Sequence, residues 1–245
     1  MNVTAIIPAR YASTRFPAKP LALIGGIPMI EHVYNVTAKA NINQLIVATD
    51  DERIAQCVRG FGGMAVLTSP LCHSGTDRCG ETANQLALAD DDIIINVQGD
   101  EPFIRKEEIN LLIKLFENED VNIATLRKPF ETLADTDNSN KVKVVCSKSG
   151  KALYFSRFAI PYNRSDEEYP HYYKHIGIYG YRCKTLRQLI QLPPSSLEEC
   201  EKLEQLRWLE NDFSIYTAIC HYESLAIDTP EDLIAANQLF NSILH

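Results

Sequence analysis

Short apolar runs alternate with stretches of helical period through the first half of this chain, and that alternation constrains the fold more than any other feature. Ile6-Ile7 and Ile93-Ile94-Ile95 are continuously apolar, the pattern of strands covered on both faces. The runs predict strands over Val3–Pro8, Gln44–Thr49, Met64–Thr68, Ile93–Val97 and Asn122–Leu126. Helices are expected between them, around 28–40, 52–61, 77–88 and 105–118. This order is the signature of an α/β chain with a mainly parallel sheet sandwiched by helices. Thr49-Asp50-Asp51-Glu52 looks like a helix start, its acids placed favourably for the dipole. Gly25-Gly26 reads as a turn, and the first strand is followed by neither G-x-G-x-x-G nor a Walker loop.

The second half has a different rhythm. Lys141–Cys146 and Lys151–Phe155 read as a hairpin around Ser149-Gly150. Tyr162–Tyr173 is polar and proline-bounded, an expected exposed loop. A strand over Lys174–Tyr181 would put His175, Tyr179 and Tyr181 on one face and Ile176 and Ile178 on the other. Helices are expected near 183–191, 197–210 and 230–243, with Leu203, Leu206 and Leu209 as the buried stripe of the second. The chain therefore reads as one domain over 1–245, with 127–195 an antiparallel excursion built onto the sheet.

At 245 residues, 45% hydrophobic and 23% charged, the chain has the composition of a water-soluble globule. A net charge of −8 argues against broad nucleic-acid binding. No apolar run reaches membrane-spanning length, and Met1-Asn2-Val3-Thr4 leads into a core strand without a signal-peptide pattern. Seven scattered cysteines without C-x-x-C suggest reduced thiols and a cytoplasmic protein. The spacing of Cys72, His73 and Cys79 fits no zinc pattern.

Against the acidic average, the loop after the first strand is purely basic. Ala9-Arg10-Tyr11-Ala12-Ser13-Thr14-Arg15-Phe16-Pro17-Ala18-Lys19 holds three cations, two aliphatic hydroxyls and no acid. Loops at the carboxyl ends of parallel strands are where such sheets bind ligands. A cationic one suits a polyphosphate, with arginine forks gripping oxygens and lysine acting as a point charge. Asp100 directly follows the strand ending at Val97, where a carboxylate suits Mg²⁺, although a turn residue is an equally simple reading. Asp228 follows the apolar stretch Leu225–Ile227 and precedes Thr229-Pro230-Glu231-Asp232, a helix start; Thr229 can cap that helix while Asp228 faces a metal. In Ser74-Gly75-Thr76-Asp77-Arg78 the glycine permits close approach of a flat ligand, and Thr76 or Asp77 can serve as an N-cap.

These segments together resemble the sugar-acid cytidylyltransferases, and specifically the 3-deoxy-manno-octulosonate (Kdo) cytidylyltransferase family. The resemblance is carried by Ile7-Pro8-Ala9-Arg10-Tyr11, Ser13-Thr14-Arg15-Phe16-Pro17, Lys19-Pro20-Leu21 and Asn96-Val97-Gln98-Gly99-Asp100-Glu101-Pro102. It continues in Ala152-Leu153-Tyr154-Phe155-Ser156-Arg157, His175-Ile176-Gly177-Ile178-Tyr179, Leu203-Glu204-Gln205-Leu206-Arg207 and Asp228-Thr229-Pro230-Glu231-Asp232-Leu233, in the family's order. The resemblance implies a Rossmann-like sheet of the nucleotide-diphospho-sugar transferase type. It implies transfer of CMP from CTP to Kdo, with release of pyrophosphate, and a homodimer built largely through the excursion. By the same resemblance Arg10, Ser13, Thr14, Arg15 and Lys19 take the triphosphate, with Arg10, Arg15, Lys19 and Asp100 as catalytic residues. Pro8, Ala9, Ser74, Gly75 and Arg78 take the nucleotide, Gln98 the sugar or the ribose, and Asp100 and Asp228 share Mg²⁺. For the sugar acid, Arg157 is the choice of carboxylate clamp because guanidinium grips carboxylate bidentately, with Arg164 second. His175, Tyr179, Glu204 and Gln205 become sugar contacts; read without the resemblance, the first two are packing residues and the last two solvated ones.

Three departures from the family pattern bear on this. Ala18 stands where many members have Gly, which is harmless unless φ is positive there, and Ile27 stands where many have Lys. Glu223-Ser224-Leu225-Ala226-Ile227 replaces a glycine-rich stretch and, with Glu168-Tyr169-Pro170, resembles members acting on 8-amino-3,8-dideoxy-Kdo. That leaves the 8-amino sugar as an alternative substrate, with Glu223 a candidate partner for its amine. A sialic-acid enzyme fits less well over Asn96–Pro102 and Leu203–Arg207. Gly99-Asp100-Glu101 lacks the Asp-x-Asp of glycosyltransferases, and the intact cations and aspartates argue against a binding protein without catalysis.

Overall fold

The computed structural model describes residues 2–12, 16–164, 172–222 and 226–244. The first half follows the expected alternation: β1 (Val3–Ala9), the short pair β2 (Leu23–Ile24) and β3 (Ile27–Pro28), α1 (Met29–Thr37), β4 (Gln44–Thr49), α2 (Glu52–Gly60) and β5 (Ala65–Leu67). Then come α3 (Gly75–Gln85), β6 (Ile93–Asn96), α4 (Lys106–Leu115) and β7 (Ile123–Pro129). The second half holds β8 (Lys143–Cys146), β9 (Ala152–Ser156), β10 (Tyr173–Arg182), α5 (Cys183–Leu189), α6 (Ser196–Glu201), α7 (Glu204–Glu210), β11 (Ile215–Ile219) and α8 (Pro230–Leu244).

The main sheet runs β11-β7-β10-β6-β1-β4-β5. β1 pairs parallel with β4 and β6, β4 with β5, and β7 with β11. β10 is the antiparallel member, inserted between β6 and β7, and the β8–β9 hairpin joins at its edge. From β1 the chain steps outward through β4 to β5, then returns to place β6 on the other side of β1. The strand order thus reverses between β1 and β6, and a crevice opens outside their carboxyl ends.

Side-chain alternation divides the core. Val3, Ala5, Ile7 and Ala9 of β1 face a buried cluster with Ile30 and Val33 of α1, Ile54 and Val58 of α2, and Ile109 and Leu112 of α4. Ile6 faces the opposite cluster, with Cys79 of α3, Leu186 of α5, and Leu206 and Trp208 of α7. β10 obeys the same rule: Ile176 and Ile178 join the first cluster, Tyr179 and Tyr181 the second. A two-residue bulge between Ile176 and Tyr179 preserves that parity, and the Thr125 hydroxyl lies 3.0 and 2.8 Å from the Ile176 and Ile178 carbonyls.

Several local expectations need correction. α3 begins at Gly75, not Asp77. Its N-cap is Ser74, whose hydroxyl accepts from the Asp77 N–H while the Asp77 carboxylate accepts from the Ser74 N–H. The expected helix over 197–210 is two helices, because Lys202 adopts φ 53° between them. Gln205, expected beside the apolar stripe, is buried. β11 and the β2–β3 pair were not foreseen, although Gly25-Gly26 does form the turn of that pair. α8 packs over it: Asn237 accepts from the Gly25 N–H and donates to the Leu23 carbonyl.

Candidate active site

A cleft of about 310 Å³ lies at the carboxyl ends of β1 and β6, where the strand order reverses. Pro8, Ala9 and Arg10 come from the end of β1, and Lys19 and Pro20 from a 3-10 turn over Lys19–Leu21. Cys72 and His73 come from the loop before α3, Ser74, Gly75 and Arg78 from its start, Gln98, Gly99 and Asp100 from the loop after β6, and Asp228 from the entry to α8. Glycine is required at position 99, since a Cβ there would lie 2.8 Å from the Pro8 carbonyl oxygen. The two strand-end loops meet only because no side chain separates them.

Lys19 sits at the centre of the charges. Its Nζ lies 2.6 Å from Asp100 Oδ2 and 3.2 Å from Asp228 Oδ1. The two aspartates are far apart in the chain but tied locally, because the Ile227 N–H donates to the Asp100 carbonyl at 2.9 Å. Asp228 stands at the mouth of α8, where the Asp232 carboxylate accepts from the Asp228 and Thr229 N–H groups and Thr229 Oγ1 accepts from the Asp232 N–H. Thr229 therefore caps the helix, while the Asp228 carboxylate accepts from Lys19. The N-terminus of α3 brings a positive dipole end to the facing wall.

Other residues singled out in the sequence sit elsewhere or do other work. Arg78 lines the cleft but is buried, its guanidinium donating to Thr68 Oγ1 and to Asp50 Oδ2. Ser13, Thr14 and Arg15 lie outside the described residues, as do Glu168-Tyr169-Pro170 and Glu223. The Cys72 thiol donates to Glu81 Oε2, and burial with that carboxylate pushes it up to about 12, which makes it no nucleophile at neutral pH.

A second polar cluster lies behind the cleft. Thr76 Oγ1 donates to Glu204 Oε2 at 2.7 Å, and burial raises the Glu204 carboxyl above the usual range. Gln205 Nε2 is buried without a partner among the described residues. The Tyr179 and Tyr181 hydroxyls point toward Thr125 and Thr76 without a well-aligned hydrogen bond, and both rings meet Trp208 edge-on. Burial pushes His175 down to about 3, so its imidazole is neutral, with Nε2 3.0 Å from Thr125 Oγ1. Gln98 joins the two regions: it lines the cleft, and its Nε2 lies 3.4 Å from the Gly177 carbonyl. His175, Tyr179, Glu204 and Gln205 therefore gather on one side of Gln98, in the face of the sheet that β10 and α7 share.

Arg157 and Arg164 stand apart from both. The Arg157 guanidinium donates to the carbonyls of Glu201, Ser139 and Lys202 at 2.7, 3.0 and 3.3 Å. Its backbone N–H and the Ser156 hydroxyl donate to the Glu201 carboxylate. Arg164 is exposed. Among the cleft residues, Pro20, Cys72, His73 and Gly99 were not anticipated one by one. The Gly99 signal was present, as a glycine directly after a buried strand and before an acid.

Asp100 and Asp228 converge on one cation, and among the described residues no group of three or more metal-ligating side chains occurs. Two carboxylates facing a cleft fit Mg²⁺, which takes oxygen ligands, keeps several waters and is completed by phosphate oxygens.

Comparisons with known proteins bear on the family and the fold. A family model described as cytidylyltransferase matches residues 4–216. A 3-deoxy-manno-octulosonate cytidylyltransferase of Bacteroides thetaiotaomicron is 48% identical over 250 residues, covering 99% of each chain. An 8-amino-3,8-dideoxy-manno-octulosonate cytidylyltransferase of Shewanella sp. (strain ANA-3) is also 48% identical, over 241 residues, covering 97% of this chain and 98% of its own. A solved CMP:2-keto-3-deoxy-manno-octonic acid synthetase complexed with CTP superposes with a TM-score of 0.94 at 39% identity, over 99% of this chain and all of the other. A 4-diphosphocytidyl-2C-methyl-D-erythritol synthase from Anaerococcus prevotii, at 14% identity and a TM-score of 0.63, shares the fold alone.

Proposed function

This chain belongs to the cytidylyltransferase family, and from that premise we propose that it transfers CMP from CTP to the anomeric hydroxyl of Kdo. The sugar oxygen bonds to the α-phosphorus, the bond to the bridging oxygen breaks, pyrophosphate leaves and the hydroxyl proton is lost. The observation that carries the reading is the cleft at the strand reversal, with Lys19 held between two carboxylates on one wall and the α3 N-terminus on the facing one. The reaction brings a triphosphate, a sugar carboxylate and a leaving pyrophosphate together, so it needs alignment and positive charge more than covalent catalysis.

Arg10, Lys19 and the α3 N-terminus bind and orient the triphosphate; Arg15, assigned to it by the family resemblance, lies outside the described residues. The backbone from Pro8 to Arg10, with Ser74 and Gly75, takes the cytidine. Gln98, with Glu204, Gln205, His175 and Tyr179 behind it, forms the sugar side. On that side burial raises the Glu204 carboxyl above its usual range, which disfavours a negative charge there, and the neutral His175 offers hydrogen bonding without charge. Asp100 and Asp228 would hold Mg²⁺, which when bound neutralises phosphate charge and polarises the α-phosphate.

The excursion over 127–195 carries the homodimer interface in this account. Leu153, Phe158 and Tyr162 there are 60%, 76% and 85% exposed, large apolar side chains that a partner subunit would cover. No helix among the described residues is long and apolar enough to cross a membrane, and we place the enzyme in the cytoplasm, where its free thiols stay reduced.

A second reading is the same transfer to 8-amino-3,8-dideoxy-Kdo, favoured by the equal identity to enzymes of that name. Pyrophosphate release, with each nucleoside triphosphate crossed against Kdo, its 8-amino analogue and sialic acid, separates these. Release with CTP and Kdo is expected to be fastest; preference for the 8-amino sugar would select the second reading, and preference for sialic acid would overturn both.

A further inference from the structure

Two carboxylates cannot stand side by side without a counter-charge, and here the counter-charge is part of the chain. Lys19 Nζ lies within 3.2 Å of both Asp100 and Asp228, and its side chain is 12% exposed against 32% and 43% for theirs. It is therefore the most enclosed of the three. Its backbone is fixed by the turn that follows Ala18, through Leu21 N–H to the Ala18 carbonyl and Ala22 N–H to the Lys19 carbonyl. The carboxylates are fixed by the link from Ile227 to Asp100 and by the cap at Asp232. An ion bound by both carboxylates would compete with the ammonium for Asp100 Oδ2 and Asp228 Oδ1, the oxygens it now holds.

We infer that Lys19 is a built-in placeholder for the divalent cation: it competes with metal for the Asp100–Asp228 pair in the nucleotide-free protein and gives the pair up when a nucleoside triphosphate arrives. The inference rests on the proposed metal role of these aspartates. The triphosphate offers the ammonium other anionic oxygens in the same cleft, and the flexible four-carbon stem lets it move between them. Nucleotide and metal then bind with positive coupling, and by linkage each strengthens the other equally. The arrangement also disfavours capture of a metal ion before the nucleotide is in place.

The test is Mn²⁺ binding to full-length protein, followed by electron paramagnetic resonance without nucleotide. Lys19→Met is compared with wild type, and Lys19→Gln serves as a second variant that keeps donors toward the carboxylates. Arg10→Met removes a charge from the same cleft without touching the carboxylates. Lys19→Met and Lys19→Gln are expected to bind Mn²⁺ on the order of tenfold more tightly than wild type, the range of ordinary coupling energies, and Arg10→Met much less so. Equal affinity in wild type and both Lys19 variants would overturn the inference, as would an equal gain in Arg10→Met, which would reduce it to a general charge effect. Adding Asp100→Asn to Lys19→Met tells the two failures apart. If it weakens Mn²⁺ binding, the metal role of Asp100 stands whatever Lys19 does. If it has no effect, the metal reading fails and the placeholder with it.

Discussion

Ala18 has φ 57°, in the left-handed region, where its Cβ crowds the following carbonyl. The position bends the basic loop back so that the Ala18 N–H donates to the Tyr11 carbonyl and Lys19 starts the next turn. The sequence marked this residue as harmless only while φ stays negative, and the structure realises the other case. Ala18→Gly should therefore stabilise the protein by about 0.5–1 kcal/mol, the relief of left-handed strain less the entropy of a new glycine. Thermal unfolding would show a rise of roughly 1–4 °C; an unchanged or lower midpoint would mean that the bend carries no strain. At Asp100 the expectation concerns rate. Asp100→Asn should keep the fold, judged by circular dichroism, and lower turnover by about a hundredfold or more, as loss of a preorganised charge contact does. Near-normal rates at saturating Mg²⁺ would remove Asp100 from the proposed metal site. Both aspartates were legible as single residues, because each follows an apolar stretch and precedes turn or cap chemistry. That one ammonium would lie between them was not, since it depends on a loop and a helix entry remote in sequence.

Among the elements, α6 and α7 show why a helical pattern can be misread. From Leu197 to Arg207 every residue but Cys200 is a good helix former, and nothing local signals a stop at Lys202. The break is tertiary: Arg157 takes the Glu201 and Lys202 carbonyls, and Glu201 is held in turn by Ser156 and the Arg157 N–H. That brace fixes the start of α7, where Glu204 and Gln205 stand. Arg157→Lys keeps the charge but loses the fork, at a cost of about 1–3 kcal/mol. It should lower the unfolding midpoint and raise the KM for the sugar acid about tenfold at fixed CTP. A higher sugar KM with an unchanged midpoint would instead mark Arg157 as a direct carboxylate clamp. A rise confined to the KM for CTP would contradict both. On β10, His175 is neutral because burial pushes it down to about 3. The folded form thus binds fewer protons than the unfolded one below the ordinary pKa near 6.5. Its contribution is complete above about pH 6.5 and is lost as pH falls toward 3, by about 1.4 kcal/mol per unit. Denaturant unfolding between pH 6.5 and 4 should accordingly depend less steeply on pH in His175→Gln than in wild type; parallel curves would show that the imidazole titrates normally. β1, β4 and β6 were readable because doubly covered strands leave continuous apolar runs. β11 was missed because Ile215–Ile219 is a short, partly polar segment whose strand character comes from pairing with β7.

For the whole molecule, the parallel sheet and its flanking helices follow from the alternation of runs, whereas the insertion of β10 between β6 and β7 does not. Antiparallel entry between two strands already assigned to a sheet leaves no local mark, since it depends on which edges meet. The site sits where the strand order reverses, so its location is a property of topology, while its cations and carboxylates are properties of loops. The exposed apolar residues of the excursion support the proposed dimer. Sedimentation equilibrium should give twice the chain mass at micromolar concentration, and Phe158→Asp should shift it toward monomer; a wild-type monomer would count against that interface. Product identification reads out the chemistry itself. Purified protein incubated with CTP, Kdo and Mg²⁺ should yield a CMP-sugar by mass spectrometry, with one pyrophosphate released for each. CTP left intact in the presence of both Kdo and its 8-amino analogue, by protein of verified fold, would contradict the account.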